Sequence, residues 1–103
     1  MWRAGDAVTR AEVLETLRAH RPVLADRFGV VELALFGSHA RDEATDQSDV
    51  DILVRFDARP DWRTFFGAQF YLEDLLQRPV ELATREDVRA EMRPHVEREA
   101  VDV

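Results

Sequence analysis

Leu35-Phe36-Gly37-Ser38-His39-Ala40-Arg41 and, a short polar stretch later, Ser48-Asp49-Val50-Asp51-Ile52-Leu53-Val54 decide how this chain reads. Val30 to Phe36 is apolar and rich in β-branched residues, and Gly37-Ser38 stops it abruptly, which predicts a buried strand ending in a tight turn. A short helical turn over 38–43 and a polar loop over 44–48 follow. Residues 49–56 then alternate with period two: Val50, Ile52, Val54 and Phe56 face one way, and Asp49, Asp51, Leu53 and Arg55 the other. Two carboxylates therefore share one face of a strand. They repel each other unless a cation lies between them, and hard oxygen ligands without Cys or His favour Mg²⁺ or Mn²⁺ over zinc.

The Gly37-Ser38 turn supplies the complementary half. Small residues let a ligand approach closely, and backbone N–H groups converging where a helix begins form an anion site. Ser38 adds a hydroxyl. Arg41 offers either a cation for a phosphate or an ordinary surface ion pair, whereas His39 reads as loop surface. A metal-binding pair beside a phosphate-cradling turn is what nucleotide transfer requires, because the ions offset phosphate charge and polarise the phosphorus toward attack.

Outward from this centre, Thr9-Arg10-Ala11-Glu12 has capping-box form, with Val8 and Val13 placed as a hydrophobic staple. A helix is expected from Thr9, disturbed near Pro22 and ended by Gly29. Trp62 to Leu76 predicts a second helix, whose apolar residues cover more than one stripe, so a partner surface is expected there with Trp62, Phe66 and Tyr71 outward. Residues 80–83 predict a strand that turns Glu81 away from Val80 and Leu82. Thr84-Arg85-Glu86-Asp87 reads as the cap of a last helix, split by Pro94. The order of elements predicts an α/β (α+β) fold with a small mixed sheet of three to four strands and helices on one face.

At 103 residues, with 46% hydrophobic and 34% charged residues, the chain predicts one domain over 1–103. Fourteen basic residues, all Arg, against 21 acidic ones give a net charge of −7, which argues against bulk nucleic-acid binding. No Cys means no disulfide, thiolate metal site or thiol nucleophile. The opening residues lack a signal-peptide core and no apolar run reaches membrane length, so a cytoplasmic location is expected.

Gly37, Ser38, Ala40, Arg41, Ser48, Asp49 and Asp51 together resemble the signature of minimal nucleotidyltransferase (MNT) domains of the DNA polymerase β-like superfamily. The resemblance implies that fold, an ATP substrate held by Gly37, Ser38, Arg41 and Ser48, and two Mg²⁺ ions held by Asp49, Asp51 and a third carboxylate. Glu81 stands where the family generally has Asp. Its extra methylene moves the carboxylate by about 1 Å, enough to cost ~100-fold in rate if uncompensated. Asp49, Asp51 and Glu81 are thereby the candidate catalytic set, with Glu81 helping to deprotonate an acceptor hydroxyl. Small relatives pair with helical HEPN toxins, which implies an antitoxin that adenylylates a partner tyrosine. Two other readings stay open: an antitoxin of impaired catalysis that acts by binding alone, and a small-molecule, aminoglycoside-like nucleotidyltransferase.

Overall fold

The computed structural model describes residues 9–45 and 48–103. Helix α1 (Arg10–Phe28) begins where the sequence says it should: the Thr9 hydroxyl accepts from the Glu12 N–H at 3.1 Å, and Glu12 reaches back to the Thr9 N–H at 3.2 Å. Val8, the proposed partner of Val13, lies outside the described residues. Pro22 does not interrupt the helix. It is exposed, so the carbonyl it leaves without an N–H partner can turn to water. Gly29, at φ 72°, closes the helix in the left-handed conformation and delivers the chain into β1 (Val30–Phe36).

β1 pairs antiparallel with β2 (Val50–Phe56). The chain then crosses through α2 (Trp62–Leu76), capped by the Asp61 carboxylate on the Thr64 N–H at 2.8 Å, and returns as β3 (Val80–Thr84), parallel to β2. A parallel neighbour demands such a crossover, whereas β1 and β2 need only a loop. Strand β4 (Val101–Asp102) adds antiparallel to the other edge of β1, giving the order β3-β2-β1-β4.

The expected last helix is not continuous. Two 3₁₀ turns, Arg85–Asp87 and Ala90–Met92, precede α3 (Arg93–Glu99), and Pro94 sits in the first turn of α3, where its missing N–H costs nothing. Thr84 bonds the Asp87 carboxylate at 2.7 Å and caps no backbone N–H.

The alternation read in β2 sets the layers. Val50, Ile52, Val54 and Phe56 join Leu33, Leu35, Val80 and Leu82 beneath the two long helices, whose Leu17, Leu24, Leu72 and Leu76 complete the main core. Each buried leucine contributes roughly 2 kcal/mol by leaving water. The two long helices thus share one face as expected, while short α3 lays Val96 on the opposite face against Ala34 and Leu53. That second face carries Asp51 and Glu81. No helix among the described residues is long and apolar enough to cross a membrane.

Candidate active site

The site forms where β1 ends and β2 and β3 begin. Phe36 pairs with Asp51 across the β1–β2 ladder, and Asp51 stands in register with Glu81 across the parallel β2–β3 ladder. Three structural details hold this junction. The Val50 N–H donates to the Pro79 carbonyl at 3.0 Å, the Val80 N–H donates to the Glu73 carboxylate at 3.0 Å, and the Gln69 amide donates to the Val80 carbonyl at 3.0 Å. Helix α2 therefore pins the first residue of β3, which fixes Glu81 one position along.

Gly37 follows β1 with φ 76°, a conformation that L side chains rarely adopt. Space makes the same demand, because a Cβ built there would collide with the Asp51 carboxylate. The turn continues through Arg41 N–H to Gly37 carbonyl at 3.2 Å and Glu43 N–H to Ser38 carbonyl at 2.9 Å, but no regular helix develops. Asp42 adopts φ 58° and ends it. The expected helix N-terminus is therefore replaced by a bare turn, and an anion there would meet local N–H groups without a macrodipole behind them.

Asp51 is half-buried, while Asp49 and Glu81 are exposed. Burial first, then a hydrogen bond with Glu81 and the charges of Glu81 and Asp49, push the Asp51 carboxyl up to about 6, with Arg41 opposing weakly. Like charges are crowded here, and a cation would relieve them. Among the described residues no group of three or more His, Cys, Asp or Glu is placed to hold a metal ion by itself. An Mg²⁺ ion needs no such group, since one or two carboxylates with substrate phosphates and waters suffice. The hard donors at Asp51 and its neighbours fit that mode.

The nucleotidyltransferase domain model matches residues 17–103, which includes the turn and all three carboxylates. The chain belongs to this nucleotidyltransferase family. It is 41% identical over 96 residues to the protein adenylyltransferase MntA of Thermococcus cleftensis, covering 93% of this chain and 97% of that protein. A solved minimal nucleotidyltransferase superposes with a TM-score of 0.72 at 35% identity, over 87% of this chain and 95% of the other. A tri-AMPylated Shewanella oneidensis HEPN toxin in complex with an MNT antitoxin gives a TM-score of 0.56 at 18% identity, over 90% of this chain and 66% of the matched chain, a likeness of fold.

Within this nucleotidyltransferase, the remaining predicted residues are already engaged. Arg41 donates to Glu43 at 2.8 Å and to Glu99 at 3.1 Å, and these two bonds raise its pKa. These bonds use Nε and one Nη1 hydrogen of the five that the guanidinium carries. The Ser48 hydroxyl accepts from the Thr45 N–H at 3.0 Å and so closes the loop before β2. Ser38 is partly buried in the turn.

His39 is not loop surface: it is 1% exposed. Both ring nitrogens lack a well-formed hydrogen bond among the described residues. Burial pushes its pKa down, the Asp49 backbone works the other way, and the charge of Arg78 adds to the lowering. A neutral imidazole is thereby wedged between the turn and the entry to β2. Sequence offered no periodicity to reveal this, because a residue in a non-repeating turn has no face to be read from its neighbours.

Proposed function

We propose that this chain transfers AMP from ATP to a tyrosine hydroxyl of a helical HEPN-family partner protein and so acts as the antitoxin of that pair. The observation that carries the reading is the lodging of Asp51 between Gly37 and Glu81, which brings an acidic cluster against a glycine-serine turn. The identity to the Thermococcus adenylyltransferase over nearly the full length of both chains supports a protein acceptor. The HEPN toxin bound to a fold-mate supplies the precedent for the partner.

In this mechanism the Gly37 and Ser38 backbone, with the Ser38 hydroxyl, orients the triphosphate, and Arg41 exchanges Glu43 or Glu99 for a phosphate oxygen. Ser48 keeps the loop ahead of Asp49 closed. Asp49, Asp51 and Glu81 would hold Mg²⁺, two ions in the fullest form of the site, with triphosphate oxygens completing the coordination. When bound, the ions neutralise the phosphates and make the α-phosphorus more electrophilic. Glu81 accepts the acceptor's hydroxyl proton as its oxygen bonds to the α-phosphorus and the bond to the departing pyrophosphate breaks.

The test is incubation of the chain with α-labelled ATP, Mg²⁺ and a candidate HEPN partner protein. Label on a tyrosine of the partner with wild type, and none with Asp49→Ala, is expected. A tight complex that never takes label would support a binder instead, and label on an aminoglycoside hydroxyl would support a small-molecule enzyme.

A further inference from the structure

At the opposite end of β2 and β3 from the carboxylates lies a groove of 720 Å³, formed by the 57–61 loop, the start of α2 and the first 3₁₀ turn. Trp62, Phe65 and Phe66 wall it, with Phe56 beneath. Four carboxylates and one guanidinium line it: Asp57, Asp61, Glu86 and Asp87 against Arg59. Asp61 caps α2 and Asp87 accepts from Thr84, but the exposed side chains of Asp57 and Glu86 make no hydrogen bond or ion pair among the described residues.

The aromatic wall continues beyond the groove. Trp62 is 68% exposed, Phe66 45% and Phe70 63%, a stripe at four-residue spacing in which Phe66 and Phe70 stack at 6.4 Å. Tyr71, expected outward, instead turns to α1, where its hydroxyl meets His20 at 2.8 Å. Phe70 takes its place on the outer surface. Large aromatics left in water beside unpaired carboxylates are suited to a flat organic cation, which a carboxylate pairs and a ring face stacks. The chain shows this chemistry itself, because the Arg63 guanidinium lies 5.3 Å from the Trp62 ring centroid.

We propose that this groove docks an arginine-bearing segment of the protein acceptor, which deepens and rests on the reading of a protein substrate. Charge complementarity selects the occupant: the rim is acidic on a chain of net charge −7, and the planar walls favour guanidinium over ammonium. Geometry then connects groove to chemistry. From Asp51 to Phe56 is five strand steps, about 17 Å, a span covered by roughly eleven residues of helix. β3 is the sheet edge along this path, so a segment seated in the groove can run past it toward Glu81.

The experiment reads Trp62 emission in a Trp2→Phe background during titration with hexa-arginine, hexa-lysine and hexa-glutamate peptides, with no nucleotide present. Hexa-arginine is expected to bind at least about tenfold more tightly than hexa-lysine, and hexa-glutamate not at all. Asp57→Asn combined with Glu86→Gln should weaken hexa-arginine binding by a further factor of about ten. In the transfer assay the same pair of changes should raise the KM for the protein acceptor and leave kcat unchanged. Absence of hexa-arginine binding, equal binding of the two cationic peptides, or binding undiminished in the double variant would overturn the proposal. So would a self-associated chain that Phe66→Ala returns to monomer, since the groove would then face a second copy. Failure of transfer to every acceptor would defeat the proposed function while leaving the peptide titration to decide the groove.

Discussion

Gly37 is where backbone and site constrain the same atom. Its positive φ strains any other residue, and the Asp51 carboxylate fills the space a side chain would need. Gly37→Ala is therefore expected to lower stability by about 1 to 3 kcal/mol, read by urea denaturation, and to abolish transfer by displacing Asp51. Asp51 and His39 tilt the pH profile in opposite directions. The native Asp51 carboxyl titrates near 6 against an ordinary 3.8, so the folded chain holds the extra proton in that window, and stability present below it is lost as pH rises toward 6. For His39 the native pKa lies below 6.5, so the unfolded chain holds the extra proton, and stability present above 6.5 is lost as pH falls. Asp51→Asn should thus raise the melting temperature at pH 7.5 and leave it nearly unchanged at pH 4. His39→Leu should stay within about 1 kcal/mol of wild type at pH 8, because the buried ring makes no well-formed hydrogen bond among the described residues, and should remove the loss below pH 6.5. A Tm series from pH 4 to 8 on the three chains checks both.

At the scale of elements, most of the fold was legible because its punctuation is chemically specific. The capping box at Thr9, the left-handed Gly29 and the Asp61 cap delimit α1 and α2, and the period-two pattern of β2 sorts its two faces although Leu53 is apolar on the acidic one. What stayed hidden depends on contacts that local patterns do not encode. Pro22 reads as a disturbance, yet with Leu17 and Leu24 buried on either side the helix runs on without interruption. Pro22→Ala should accordingly stabilise the chain by about 1 kcal/mol or more, a rise of roughly 4 to 8 °C in Tm. The two residues of β4 are too few for periodicity to show and exist because the β1 edge offers them a ladder. Tyr71 reads as outward because helical spacing does not show that His20 supplies a partner for its hydroxyl. In the candidate site, Gly37 and Asp51 are legible in turn chemistry and strand parity and Glu81 through the family resemblance, whereas one of the two ion pairs holding Arg41 comes from Glu99, far along the chain.

For the whole molecule, the proposed chemistry and the proposed docking groove would lie at opposite ends of β2 and β3. The starts of β2 and β3 gather carboxylates beside the Gly37-Ser38 bend, and their ends carry an aromatic and acidic groove. The main core fills one face of the sheet, and the smaller cluster under α3 packs on the face that carries Asp51 and Glu81. The cost of this arrangement is the repulsion around Asp51, which a bound cation and nucleotide should cancel. Ligand linkage makes that measurable: saturating a site at about a hundred times its Kd adds roughly 2.7 kcal/mol to stability. The decisive measurement is the melting temperature of wild type and of Asp51→Asn with and without Mg²⁺ and a nonhydrolysable ATP analogue. A rise of several degrees in wild type that is largely absent in Asp51→Asn is expected. An equal rise in both chains, or none in wild type, would contradict the placement of the nucleotide and its metal at this cluster.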